Sequence, residues 1–148
     1  MIRWIGLIAG VLFALVLIVV IVGALLPKGH VAARRARFSA PPDRVFAIIS
    51  DVDAVTYRVE VLDPPRRMQV RIADTSLPFG GTWTYDLAQR EGGTELTITE
   101  RGEVYNPVFR FMSRFVFSQH ATIDAYLRAL GTKLGEAEPL LSDVSIRD

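Results

Sequence analysis

Residues 4–26 contain no charged side chain and no strongly polar one. An α-helix rises 1.5 Å per residue, so a run of this length matches a hydrocarbon layer of roughly 30 Å. Trp4 lies near one end, where an indole ring favours the interface. Pro27 and Gly29 then interrupt the helix. A cleaved secretory signal would use Arg3 as its basic start and Val22-Gly23-Ala24 as a small-residue cleavage site. Signal cores usually span about 7–15 apolar residues, and this run is longer. A buried core helix fits poorly, because the segment is apolar on every side. Residues 1–29 are therefore expected to form an uncleaved, single-pass N-terminal transmembrane anchor. Arg3 stands before the span, and Lys28, Arg34, Arg35 and Arg37 follow it. Counting Lys and Arg alone, the globular part falls on the cytoplasmic side.

From Val31 onward 118 residues remain, enough for one domain with its own core. The formal net charge of +1 gives no footprint for nucleic acid. There is no cysteine, which excludes a disulfide scaffold, a thiolate metal site and a thiol nucleophile.

Residues 31–38 read as a strand. Ser39-Ala40-Pro41-Pro42-Asp43 then reads as a helix start: Ser39 or a neighbour caps, the prolines fill the first turn, and Asp43 complements the positive end. Val45, Phe46, Ile48 and Ile49 supply a short apolar face. Residues 51–55 read as a bend. Alternating runs follow at 58–62, 67–73, 82–87 and 94–103, with turns at Asp63-Pro64-Pro65 and Arg90-Glu91-Gly92-Gly93. Trp83, Tyr85 and Leu87 fall on one face of their strand, and Leu96 and Ile98 on one face of theirs. Strict alternation predicts an antiparallel sheet with one covered and one wet face.

The covered face needs a partner, and residues 106–134 supply the candidate. Asn106 is placed to cap, Pro107 suits the first helical position, and Gly135 suits a left-handed ending. Phe109, Met112, Val116, Ile123, Leu127, Leu130 and Leu134 recur at helical spacing, with Val108, Phe111, Phe115 and Tyr126 widening the stripe. The pattern predicts one long helix. Gln119 and His120 interrupt its apolar face. Beyond Gly135, residues 136–148 read as a loose tail.

The order of strand, short helix, antiparallel strands and long C-terminal helix resembles the START-like, Bet v 1-like helix-grip superfamily, also described as polyketide cyclase/dehydrase and lipid-transport proteins. Phe38-Ser39-Ala40-Pro41-Pro42-Asp43-Arg44-Val45-Phe46, followed by Asp51, resembles the entry of that family. The stretches from Pro78 to Tyr85 and from Thr97 to Glu103 resemble its late strands, and Asn106-Pro107 opens the helix. The likeness covers residues 31–135. It implies an α+β helix-grip domain, residues 30–135, enclosing a cavity for an apolar ligand. Such domains have seven strands, whereas five are legible here. Two strands are missing between the short helix and residue 58, so the cavity is expected to be open on one side or absent.

The ligand-facing candidates are Trp83, Tyr85, Ile98, Glu100, Phe109, Met112, Val116 and His120. The rings offer apolar surface with a polar tip; each would serve equally as plain core. Glu100 shares the inward face of Leu96 and Ile98, where it would act as a base or pair with Arg110 or Arg114, since an unpaired buried acid is costly. His120 would orient a ligand, transfer a proton, or simply mark where the stripe meets water. No nucleophile motif, phosphate-binding glycine loop or metal-ligand spacing is present. No catalytic residue, cofactor or metal is therefore assigned. Arg34, Arg35 and Arg37 would meet anionic head groups or form a solvated strand face.

Three functions follow. The first is membrane-tethered binding of a lipid or apolar small molecule without catalysis. The second is a cyclase or dehydratase acting on an apolar carbonyl compound, with Glu100 and His120 as the acid–base pair. The third is an interaction or self-association module using an incomplete sheet edge.

Overall fold

A computed structural model of the chain describes residues 2–52, 56–116 and 120–145. The bend read at 51–55 falls partly, and Gln119 wholly, outside these residues. Helix α1 (Ile2–Leu25) covers the apolar run, and its stretch Trp4–Leu25 is long and apolar enough to cross a membrane. Strand β1 (Gly29–Phe38) and helix α2 (Pro42–Ile49) follow. Next come β2 (Tyr57–Asp63), β3 (Arg67–Ile72), β4 (Phe79–Arg90) and β5 (Gly93–Val104). Helices α3 (Pro107–Phe115) and α4 (Ala121–Leu134) precede a last strand, β6 (Leu141–Asp143).

All strand pairs are antiparallel, in the order β2-β3-β4-β5-β1-β6. The class is α+β, as expected, but the sheet has six strands rather than five. The extra strand lies in the stretch read as a loose tail, where Leu141 pairs with Ala36. Three residues carry too little alternation to register as a strand, and the pairing depends on β1 offering a free edge.

The core forms between one sheet face and two helices. Val45, Phe46 and Ile49 of α2 and Ile123, Leu127, Leu130 and Leu134 of α4 meet Ala32, Ala36, Met68, Val70, Leu96 and Ile98. The helix α2 departs from its expected capping. Ser39 provides no cap; the Glu136 carboxylate instead accepts from the Ser39 and Ala40 amides at 2.7 and 2.8 Å. Thr94, buried beneath, donates its hydroxyl to the Ala40 carbonyl at 2.7 Å.

The single long helix predicted over 106–134 is two helices. Both of its ends are as expected. The Asn106 side chain accepts from the Val108 and Phe109 amides, and Gly135 takes φ 75°. The middle differs because the two halves have different partners. Helix α4 lies on the sheet, whereas α3 packs against the C-terminal end of α1. A Cβ on Gly23 would sit 1.9 Å from the Pro107 carbonyl oxygen, so the two backbones touch there. Within 4–26, Val19, Val22, Gly23 and Leu26 form the stripe that is buried or half-buried.

Arg110 fixes this junction. Its guanidinium is buried and donates to five carbonyls: Gly23 at 3.1 Å, Ala24 at 3.4 Å, Leu26 at 3.1 Å, Val104 at 3.0 Å and Tyr105 at 2.9 Å. The last carbonyls of a helix lack intrahelical partners and carry the negative end of its dipole. Arg110 satisfies both needs for α1, and five acceptors meet the cost of burying its charge.

Candidate ligand-binding site

The register assembles the sheet face into cross-strand rows. Ala32, Glu100, Trp83, Val70 and Val59 form one row across β1, β5, β4, β3 and β2. Arg34, Ile98, Tyr85, Met68 and Leu62 form the next. Residues opposite one another in an antiparallel pair point to the same side, so each row is one strip of surface. Within the second row Met68, Tyr85 and Ile98 are buried, yet Leu62 at its β2 end is 59% exposed. In the first row Val59 is 42% exposed. All of β2 is exposed, so the helices leave this edge of the covered face open.

Three rings pack on the covered face inside this edge, Tyr85 in the core and Trp83 and Tyr126 half-buried against it. Trp83, Tyr85 and the α4 residue Tyr126 are mutually in contact, with centroids 5.7–6.2 Å apart and tilted or edge-on planes. This geometry is the favoured one for aromatic pairs. Burial, followed by the neighbouring Tyr126, pushes the Tyr85 phenol well above its usual value. Burial raises Tyr126 as well, while a hydrogen bond with Tyr85 works against that. Both phenols stay neutral and serve as apolar wall with a polar tip.

Glu100 lies toward the other end of the first row, between Trp83 and Ala32. Burial raises its carboxyl above the usual carboxylate value, opposed in turn by His30, a hydrogen bond from the Trp83 indole, and His120. The His30 Nε2 lies 3.8 Å from Glu100 Oε1. Room for that ring comes from Gly102, where a Cβ would sit 2.2 Å from the imidazole Cε1. The expected pairing of Glu100 with Arg110 or Arg114 is not found, because Arg110 is turned to α1 and His30 and Trp83 take its place.

Of the eight ligand-facing candidates, Trp83, Tyr85, Ile98 and Glu100 share this sheet face, and His120 lies within electrostatic reach of Glu100. Phe109, Met112 and Val116 do not join them. They sit on or just after α3, with Phe109 and Val116 turned outward. Sequence reasoning missed His30 and the partners of Tyr126. Helical spacing puts Tyr126 on the stripe without showing which rings it meets, and His30 follows a helix-breaking Pro-Lys-Gly and gives no strand signal.

The three arginines of β1 also divide. Arg34 points inward to Asp124 of α4, with Nε 2.9 Å from the carboxylate, and also pairs with Asp143. Arg35 and Arg37 lie on the opposite face beside Glu95, which Arg90 also meets. Among the described residues no group of three or more metal-binding side chains occurs.

No protein-family model and no curated protein matches the chain. Several solved structures resemble it. The Mll3558 protein from Rhizobium loti is 16% identical, with a TM-score of 0.50, over 72% of this chain and 94% of that one. A Rhodobacter sphaeroides protein is 17% identical, with a TM-score of 0.49, over 74% of this chain and 99% of that one. The Polyketide_cyc-like protein Cgl2372 from Corynebacterium glutamicum is 18% identical, with a TM-score of 0.42, over 74% and 86%. Of these three, the Mll3558 match alone reaches 0.50, and at its identity it shows a shared fold only. The antiparallel sheet with a C-terminal helix across it is consistent with the helix-grip architecture expected above.

Proposed function

We propose that the chain is a single-pass membrane protein whose domain binds a lipid or apolar small molecule, without catalysis, in a trough entered at the uncovered β2 edge of the helix-covered face. The observation that carries this reading is the first cross-strand row. It runs from an uncovered apolar edge at Val59, across the buried Val70 and the half-buried Trp83 ring, to a half-buried carboxyl at Glu100. An elongated molecule with an apolar body and one polar end fits that sequence of surfaces. The open side is what a sheet lacking two strands would leave.

Tethering by α1 keeps the trough beside its ligand source. A cytoplasmic domain is part of the proposal, and the ion pairs narrow its basis. Arg34 is committed within the fold, whereas Arg35 and Arg37 meet Glu95 on an exposed face, and Lys28 and the α3 residue Arg114 add to the charge beside the span.

The chain has two tryptophans, Trp4 and Trp83. In a Trp4→Phe variant reconstituted in nanodiscs, Trp83 is the sole indole. Added brominated fatty acid is expected to quench it, and Val59→Lys is expected to abolish the quenching. Unquenched Trp83, together with native mass spectra that show no bound lipid or fatty acid, would remove the proposal.

A further inference from the structure

Helix α3 presents two faces of opposite character. Pro107 and Arg110 are turned to α1. The other side carries Val108, Phe109, Met112, Phe115 and Val116, all apolar and spaced at three and four residues. Phe109 is 52% exposed, Phe115 61% and Val116 57%. Met112 is half-buried, and the rest of the stripe is left exposed by the sheet and α4.

The position of α3 decides what does. Pro107 touches Gly23, which lies inside the apolar span Trp4–Leu25 rather than beyond it. The helix therefore starts at the depth of the last turn of α1. Its charge fits the same place. It has no acidic residue, and its one exposed cation, Arg114, lies in the last turn. Arg114 shares a cleft of about 350 Å³ with Lys28, His30 and Ser113 at the base of α1. Exposed Tyr105 stands at the same end of the sheet, and a tyrosine ring with its polar tip favours the membrane–water boundary.

We infer that α3 is an in-plane membrane helix, seated in the same bilayer as α1 with its Val108–Val116 stripe in the lipid. Arg110 and the Gly23–Pro107 contact lock it to the anchor, so the domain is held in one orientation rather than swinging on a tether. An in-plane helix buries its apolar face about 5–10 Å into the boundary between head groups and acyl chains. The inference rests on the reading of α1 as a membrane span.

The test uses the full chain in nanodiscs containing phosphatidylcholine brominated at shallow or deep acyl positions. Three single-tryptophan proteins are compared: one retaining Trp4, and two carrying Phe109→Trp or Phe115→Trp with Trp4 and Trp83 replaced by Phe. Both Phe positions are exposed, so a larger ring is accommodated. Quenching of Trp4 establishes the span independently. With Trp4 quenched, loss of emission at both new positions to shallow bromine supports the inference. Trp4 quenched while both new positions keep full emission in either lipid overturns it and leaves the anchor standing. Emission at 109 and 115 that shifts with protein concentration but not with bromine assigns the stripe to a second copy and also overturns it. Unquenched Trp4 removes the anchor itself, and the inference with it.

Discussion

Helices α3 and α4 carry apolar stripes of similar chemistry and opposite fate. Ile123, Leu127, Leu130 and Leu134 of α4 are at most 4% exposed, whereas Val108, Phe109, Phe115 and Val116 at α3 are at least 42% exposed. The stripes follow one another at nearly continuous helical spacing, which is why they read as one helix. An apolar face states that it must leave water; it does not state which partner removes it. Packing against the sheet claims α4. The end of α1, with Arg110 as clamp, claims α3.

The largest expected effect breaks this comparison most directly. Leu127→Ala removes a fully buried side chain and is expected to cost about 2–5 kcal/mol of domain stability in chemical denaturation of the nanodisc-reconstituted chain. Phe115→Ala, on the uncovered stripe, is expected to change it by only about 0.5 kcal/mol. Equal costs would mean that α3 is packed within the domain after all.

Arg110→Ala comes next. It strips the donors from five carbonyls, and about 3 kcal/mol is expected to be lost, localised to the α1–α3 junction. Hydrogen exchange should rise at residues 23–26 and 104–115 while α4 stays protected. Uniform loss of protection would show that the two regions unfold as one.

Glu100 gives the smallest effect. Its carboxyl is raised above the ordinary value of 4.5 in the folded state, chiefly by burial. The folded protein then holds this proton more tightly than the unfolded one. The corresponding stabilisation is complete below the ordinary value and is lost as pH rises through the raised one. Glu100→Gln is expected to flatten that decline in a pH series of denaturation midpoints. An unchanged slope would place the Glu100 carboxyl in water and remove the polar end of the trough.

Much of the fold was legible because its signals are local. Alternation located β1 to β5 to within a few residues, and Asn106, Pro107 and Gly135 marked helix ends by backbone chemistry that needs no partner. The candidate site was legible in part for the same reason: parity alone placed Trp83, Tyr85, Ile98 and Glu100 on one face. His30 escaped because register and strand order bring it near that face, and no spacing within the chain encodes either; helical spacing puts Tyr126 on the stripe, and only the packing of α4 brings its ring to Trp83 and Tyr85. Arg110 escaped for a related reason. A buried arginine among apolar residues looks like an interruption until three of the carbonyls it serves are seen to come from 84 to 87 residues away.

By itself the sequence determined the apolar span, the antiparallel strands, the helix termini and the two amphipathic stripes, since each follows from hydrophobic period or from the backbone needs of proline, glycine and asparagine. Tertiary structure decided the rest. It divided the long stripe between two partners, turned Arg110 onto the end of α1, paired Glu100 with His30 and Trp83, and left the β2 edge open. Those outcomes depend on which surfaces meet, and free energy of burial is indifferent to the identity of the apolar partner until topology brings one within reach.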